Sequence, residues 1–136
     1  MIEPGLSAEI VHIVASGDTA AAYGSGLVPV LSTPHLIALM EGAAQAAIAP
    51  SLDEGQTAVG TLVEMHHLAA TPVGMQVRVR AELTMVDGRR LRFHIEAWDD
   101  VEKVGEAQHE RYVIDLARFM RRVEDKAGQG DVPRGR

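Results

Sequence analysis

The sequence predicts an α+β domain in which one antiparallel sheet curls around a single buried helix. Three observations support this prediction. Residues 33–49 are almost wholly apolar or small and carry helix start and stop signals. One strand-like segment precedes this stretch and four follow it, with apolar and polar residues in alternation. The Asp87-Gly88 pair is a strong hairpin signal between two of these strands, as expected for antiparallel neighbours.

The length and composition indicate one domain with enough apolar material for a core. The chain has 136 residues, of which 46% are hydrophobic, and a net charge of -6 that argues against a nucleic-acid partner. It contains no cysteine, which excludes disulfides and thiolate catalysis and fits a cytoplasmic protein. No segment reaches the roughly 18 apolar residues of a membrane span, and the N-terminus lacks signal-peptide features, so we predict no membrane partner. Residues 1–126 are predicted to form the domain, and residues 127–136 a flexible tail.

The elements before and including the helix follow from local signals. Residues 8–16 are rich in β-formers and predict a first strand, and residues 17–31, which contain several glycines, predict a loop. Ser32 and Thr33 can cap the helix, Pro34 suits its first turn, and Pro50 ends it. No face of this helix carries the charges of a solvated helix, so we expect it to be buried nearly all round.

The segments after the helix predict four strands in a meander. Residues 55–67 form the first of them, with His67 facing inward beside Val59, Thr61, Val63 and Met65, while Glu64 and His66 face outward. Residues 73–85 and 91–97 flank the hairpin, and residues 103–116 form the last strand, followed by a short basic helix. A sheet of this size covers only part of the central helix, so we expect a partner subunit to cover the rest.

Glu41 is the first candidate for chemistry because it lies in the most apolar stripe of the helix. That stripe consists of Ile37, Met40, Glu41, Ala44 and Ile48. A carboxylate in such surroundings can act as a base, an acid or a nucleophile. The alternative is a single structural hydrogen bond, and the residue pattern alone does not decide between them.

Thr33 and His67 are the other candidates. Thr33 is most simply an N-cap, but the start of a helix also favours an anion or a polarised carbonyl. Thr33 and Glu41 are eight residues apart, about 12 Å along a helix, so they can share a site only across a two-fold axis. His67 could orient a carboxylate or shuttle a proton, although a lone inward histidine is more often a core residue.

Other patterns exclude several classes of site. Adjacent strand residues point to opposite faces, so His66 and His67 cannot both bind one ion, and we predict no metal site. His12, His35, His94 and His109 are assigned no role. No phosphate-binding glycine loop, GxSxG elbow or hydratase motif is present. The arginines near the hairpin (Arg78, Arg80, Arg89, Arg90 and Arg92) are interpreted as a solvated face, although a coenzyme A phosphate would also suit them.

The chain resembles the hotdog-fold thioesterases, most closely the fluoroacetyl-CoA thioesterase-like family. The similarity extends from about residue 27 to residue 115. It is carried by Thr33, by Glu41 in LMEGA, by AVGTLVEMHHLAATPVGM, by VDGRRL and by HERYVI. The catalytic residues of the family fall on Thr33, Glu41 and His67 by type and spacing. Gly60 of the VGT motif matches a position whose backbone lies near the thioester.

The resemblance implies a hotdog homodimer, or a dimer of dimers, that hydrolyses a small acyl-CoA to a carboxylic acid and free CoA without a further cofactor. Two alternatives stay open: a non-catalytic acyl-CoA or small-ligand binding dimer, and a hotdog acyl-CoA hydratase. The family's fluoroacetyl-CoA enzyme has aromatic residues in the loop before its threonine, whereas residues 17–31 here contain Tyr23 and no phenylalanine. Selectivity for fluoroacetyl-CoA is therefore not predicted.

Overall fold

The computed structural model describes residues 1–130 and has a five-stranded antiparallel sheet packed against one long helix. This confirms the predicted α+β arrangement. The strands are β1 Ser7–Ile13, β2 Gln56–His67, β3 Gln76–Asp87, β4 Arg90–Trp98 and β5 Lys103–Asp115. The helices are α1 Ala20–Tyr23, the central helix α2 Thr33–Ile48 and the C-terminal α3 Leu116–Gln129, with 3-10 turns at Ser16–Asp18 and Ala49–Ser51.

The strand order is β1-β3-β4-β5-β2, so the predicted four-strand meander is wrong. Only β3, β4 and β5 follow one another in the sheet. β2 pairs with β5 instead of β3, because the chain leaves the sheet after His67 and crosses over before β3 begins. The alternation of side chains identifies a strand but does not specify its neighbour. This pairing places β2 at an edge and sets Gly60 opposite Arg111.

A β-bulge in β2 changes which residues face the helix. Gly60 pairs with Arg111 and Leu62 pairs with Glu110, which leaves Thr61 as the extra residue. An extra residue reverses the alternation on one side of the bulge. The predicted inward positions of Val63, Met65 and His67 are retained, whereas those of Val59 and Thr61 are wrong. Their places on the inward face are taken by Ala58, which is buried, and by Gly60.

The hairpin and the core agree with the sequence pattern. Gly88 has a φ of 60°, the left-handed conformation that the turn between β3 and β4 requires. The fully buried side chains of these strands are Val77, Val79, Ala81, Leu83, Leu91, Phe93, Ile95 and Ala97. Met85 leaves the buried face because the register shifts after Leu83. Their core partners on α2 are Leu36, Met40, Ala43, Ala44, Ala47 and Ile48.

In the single chain, helix α2 is buried on only one side. The prediction that it is buried nearly all round is therefore wrong for the isolated chain. Its opposite side exposes a row of small residues: Pro34, Ala38, Gly42 and Ala46. The sheet is too narrow to enclose the helix. The expectation that another subunit covers this side therefore stays a prediction.

The predicted loop, residues 17–31, and the region after the last strand both contain regular structure. Residues 17–31 include α1, and a bridge between Thr19 and Leu31 joins the two ends of the segment. A second bridge, between Val30 and Pro72, joins it to the rest of the fold. The predicted basic helix is α3, which continues to Gln129. The predicted tail, residues 127–136, lies mainly outside the described residues. Across residues 1–130, none of the helices combines the length and the apolarity that crossing a bilayer would need.

Candidate active site

The first turn of α2 presents the hydroxyl of Thr33 to His67. Ser32 is the N-cap, since its side chain accepts a hydrogen bond from the His35 N–H at 3.1 Å. The interpretation of Thr33 as the cap is therefore wrong. Because Ser32 caps the helix, the Thr33 hydroxyl is available for a 2.8 Å hydrogen bond with Nδ1 of His67, the last residue of β2. The donor in this bond depends on the histidine tautomer.

His67 has one ring nitrogen in that bond and one that is unused. Its Nε2 atom is buried and, among residues 1–130, has no hydrogen-bond partner. Burial lowers the pKa of His67 because an imidazolium loses hydration, and the Ala69 backbone acts in the opposite direction. A cleft of about 390 Å³ adjoins the pair, lined by Val30, Thr33, His67, Leu68, Ala69 and Ala70. A neutral imidazole at the edge of a cleft can accept or relay a proton.

Glu41 lies two turns along the helix and faces the backbone of β2. A Cβ atom added to Gly60 would lie 2.6 Å from Oε2 of Glu41, so only glycine allows the carboxylate this close. The Glu41 side chain is 42% exposed in the single chain, more than the apolar stripe led us to expect. The carboxylate therefore faces open space as well as β2.

Arg111 of β5 supplies the positive charge next to this carboxylate. Its Nη1 atom lies 3.6 Å from Oε2 of Glu41, and its side chain is only 9% exposed. Its Nη2 atom donates to the Ala58 carbonyl at 2.8 Å, which holds the guanidinium in place. Burial lowers the pKa of Arg111 and the nearby Glu41 charge raises it, but an arginine stays protonated.

His109 completes a chain of polar contacts behind Arg111. Arginine can only donate, so the 3.2 Å contact from Nη1 of Arg111 to Nε2 of His109 makes that nitrogen an acceptor. The proton of His109 is then on Nδ1, which donates to the Leu62 carbonyl at 2.7 Å. Burial lowers the pKa of His109, in agreement with a neutral ring. The carboxylate, the guanidinium and the imidazole thus form one ordered group.

The single chain therefore holds two separate groups rather than one site. Thr33 and His67 lie at the N-terminal end of α2, and Glu41 with Gly60 and Arg111 lies eight residues further along. At 1.5 Å per residue, this separation is about 12 Å. The conclusion that Thr33 and Glu41 do not touch within one chain agrees with their contacts here.

Comparison with known proteins identifies the family. A model of the fluoroacetyl-CoA-specific thioesterase family matches residues 14–117. The chain belongs to this family. A fluoroacetyl-CoA thioesterase from Streptantibioticus cattleyicolor is 43% identical over 101 residues, which are 74% of this chain and 73% of the relative. The predicted family and its class of enzyme, a thioester hydrolase, are confirmed.

Solved structures confirm the predicted hotdog fold. A structure of a fluoroacetyl-CoA thioesterase superimposes with a TM-score of 0.87 at 33% identity, covering 98% of this chain and 99% of that one. A hot-dog-like protein from Thermanaerovibrio acidaminovorans superimposes with a TM-score of 0.86 at 25% identity, covering 96% of each chain. The antiparallel sheet and the central helix α2 are thus the framework shared with both of these structures.

Two residues of the candidate site are not predicted from the sequence. The sequence pattern gives no role to His109 and does not distinguish Arg111. A usable signal was present, because β5 reads Gly105, Ala107, His109, Arg111 and Val113 on its inward face. Two polar residues on the buried side of a strand are as unusual as an acid in an apolar helix stripe.

The arginines of the hairpin behave mostly as a solvated face. Arg78 pairs with Glu9, Arg80 with Glu82, Arg90 with Asp87 and Arg92 with Glu110. Arg89 instead lines a separate cleft of about 360 Å³ with Arg118 and Arg122 of α3. That cleft is similar in size to the one beside His67, so the chemistry of the side chains, and not volume, identifies the candidate active site.

Substituting Gly60 with alanine tests whether activity requires the Glu41 carboxylate to lie close to β2. We expect kcat/KM for the best acyl-CoA substrate to fall at least about tenfold, because the new Cβ must displace the Glu41 carboxylate and such misplacement is costly. Gly17→Ala is the matched control, since a Cβ there has nothing within 4 Å. Unchanged turnover in Gly60→Ala would show that the position of this carboxylate does not matter.

The pKa of His67 is open to direct measurement. We expect an NMR titration of its ring Cε1–H signal in a Glu41→Gln background, which removes the charge of that carboxylate, to give a pKa below about 6.5, the ordinary value, because burial disfavours the charged ring. The residue would then be neutral at pH 7 and gain its proton only on further acidification. The His67→Asn variant assigns the signal. A pKa at or above the ordinary value would contradict the inferred desolvation.

Proposed function

We propose that this chain hydrolyses a small acyl-CoA thioester to a carboxylic acid and free CoA, with Thr33, Glu41 and His67 as the catalytic residues and Gly60 as a substrate-binding residue. The observation that supports this most directly is the position of Glu41. Its carboxylate lies beside buried Arg111, faces a glycine backbone and still reaches open space. Solved structures of a related fluoroacetyl-CoA thioesterase contain acetyl-CoA in one case and fluoroacetate with CoA in another.

The active form in this proposal is a homodimer. β2 is an edge strand with free backbone groups, and α2 exposes the row of small residues from Pro34 to Ala46. A two-fold axis beside both would extend the sheet and pack the two α2 helices against each other. It would also bring Glu41 of one subunit toward Thr33 of the other. The dimer explains why one chain carries only half of each site.

In the proposed mechanism, the thioester carbonyl binds at the start of α2. Pro34 has no N–H, and the N–H groups of His35 and Leu36 already bond to Ser32. The donors at this end are therefore the Thr33 N–H and, when Nδ1 of His67 carries the proton in their shared hydrogen bond, the Thr33 hydroxyl. The helix dipole supports both. Together they stabilise the negative charge that develops on the carbonyl oxygen.

Glu41 of the other subunit then supplies the nucleophile. Its carboxylate either attacks the carbonyl carbon, giving an anhydride that water cleaves, or removes a proton from a water that attacks. In both cases the tetrahedral intermediate collapses with cleavage of the C–S bond, and CoA leaves as a thiolate that gains a proton. His67 positions the carboxylate or water, and its neutral ring relays a proton from solvent to the thiolate. The reaction uses no further cofactor, and we propose that it takes place in the cytoplasm.

A panel of acyl-CoA substrates tests this function. Free thiol released from acetyl-, propionyl-, butyryl- and fluoroacetyl-CoA would be measured with a thiol reagent, and crotonyl-CoA would be followed for hydration. We expect thiol release from at least one short-chain substrate. Hydration without thiol would identify a hydratase, and saturable binding without any turnover would identify a binding protein. We do not propose selectivity for fluoroacetyl-CoA, because Tyr23 is the only aromatic residue in the loop before α2.

A further inference from the structure

Three potential metal ligands meet on the side of α2 that is not part of the proposed catalytic group. They are His12 at the end of β1, Asp18 in the 3-10 turn and His35 in the first turn of α2. One ligand atom from each lies within 4.8 Å of the others. Nε2 of His12 is 2.7 Å from Oδ2 of Asp18, and Nε2 of His35 is 3.3 Å from Oδ1 of the same carboxylate. One carboxylate thus bridges two imidazoles from different parts of the chain.

The surroundings of these residues hold the ligand atoms in place. The Asp18 side chain is only 12% exposed, and its Oδ2 atom accepts a hydrogen bond from the Ala15 N–H at 2.8 Å. Tyr23 contacts Nδ1 of His35 through its hydroxyl at 3.0 Å. A polar partner on the second ring nitrogen is what orients a metal-binding histidine.

The Nε2 atom of His35 is a second buried ring nitrogen close to the Asp18 carboxylate. It is buried and has no hydrogen-bond partner among residues 1–130, although Asp18 is at ion-pair distance. If Nδ1 carries the proton and donates it to Tyr23, then Nε2 presents a lone pair to a carboxylate. Two electron-rich atoms 3.3 Å apart need a positive charge between them, either a proton or a metal ion.

We propose that His12, Asp18 and His35 bind a divalent transition-metal ion of the Zn²⁺ class. Two imidazole nitrogens and one carboxylate oxygen suit zinc, with water as the fourth ligand. Zinc bonds of about 2.0–2.1 Å in a tetrahedron separate the ligand atoms by roughly 3.4 Å, so only small shifts of these side chains are needed. The sequence predicts no metal site because His66 and His67 cannot bind one ion together. His12, Asp18 and His35 are not recognisable in the sequence as ligands, because their spacing matches no metal-binding motif.

The role assigned to this metal is structural. It would join β1, the 3-10 turn and the first turn of α2, where the Asp18 carbonyl also accepts from the Ser32 N–H at 2.9 Å. Thr33 follows directly in the chain. The ion would therefore brace the turn that carries Thr33 without contacting the substrate, and the proposal does not depend on the thioesterase mechanism.

Metal binding to the full-length, tag-free protein tests the site. The protein would be treated with a chelator, dialysed and titrated with Co²⁺ and with Zn²⁺. We expect one ion per chain, bound with micromolar or tighter affinity. The Co²⁺ form should have a visible absorption spectrum typical of a low-coordinate ion, and Zn²⁺ should raise the Tm by a few degrees. Metal binding and the Tm shift should be lost in His12→Gln and His35→Gln.

The controls separate this site from other histidines and from misfolding. His94→Gln changes a histidine that lies beside a glutamate, and it should bind metal normally. Asp18→Asn retains an oxygen acceptor for the Ala15 N–H, so it should fold, as checked by circular dichroism, but bind metal at least tenfold more weakly. No metal binding by the folded wild-type protein, or binding that persists in His12→Gln and His35→Gln, would overturn the proposal.

Discussion

Replacing Glu41 with glutamine is expected to lower kcat/KM for the best acyl-CoA substrate by roughly 100- to 10,000-fold, the range typical of losing a catalytic base. Glutamine has nearly the same shape and keeps an oxygen that can face Arg111, but it cannot accept a proton or attack a carbonyl. We expect the free energy of unfolding to change by no more than about 1–2 kcal/mol. Thiol release and urea denaturation measure the two quantities.

Glu64→Gln is the matched control for that substitution. It makes the same chemical change on the exposed face of β2, and we expect turnover close to that of the wild-type protein. A folded Glu41→Gln protein that retains full turnover would remove Glu41 from the mechanism. A large loss in both variants would show that the effect comes from net charge rather than from the site.

Mixing two inactive variants is expected to restore about a quarter of the wild-type activity, because each site takes residues from two subunits of a two-fold dimer. The variants are Glu41→Gln and His67→Asn. Random exchange makes half of the dimers mixed, and in each mixed dimer one site has both defects while the other is intact. Denaturing the two proteins together, refolding them and measuring thiol release tests this expectation.

The control mixture combines two defects from the same group. Thr33→Ala and His67→Asn affect residues that share a hydrogen bond in one chain, so every site in their mixed dimer carries at least one of the two defects. We expect no recovery above the activity of the separate variants. No recovery in the first mixture, with subunit exchange verified by mass spectrometry, would place each site within one subunit.

Much of the framework could be predicted because its signals are local. The helix signals of residues 33–49 correspond to α2, and the alternation around Asp87-Gly88 corresponds to β3 and β4. The rise per residue in an α-helix is also constant, so the distance between Thr33 and Glu41 could be calculated from their positions in the sequence. Glu41 was recognisable because an acid among apolar residues is rare in any helix.

The remaining features could not be predicted because they depend on contacts between distant segments. The bulge at Thr61 reverses the alternation of β2, and only its pairing with β5 reveals it. Arg111 became part of the candidate site because that pairing puts it opposite Gly60, where it reaches Glu41, and the ring of His109 lies beside the same glycine. Ser32 and Thr33 are both cap-forming residue types, and only the structure shows that Ser32 is the cap while Thr33 bonds to His67.

The sequence by itself thus determined the central helix, the strands, the family and the candidates Thr33, Glu41, His67 and Gly60, because periodicity, capping and motif spacing act over short stretches of chain. Only the tertiary structure decided the strand order, the hydrogen bond between Thr33 and His67, and the support of Glu41 by Arg111. These features follow from which surfaces pack together, and packing depends on shape and burial across the whole chain. The central helix is therefore predictable from sequence, whereas the chemistry at its first turn and at Glu41 in its middle depends on the sheet that packs against it.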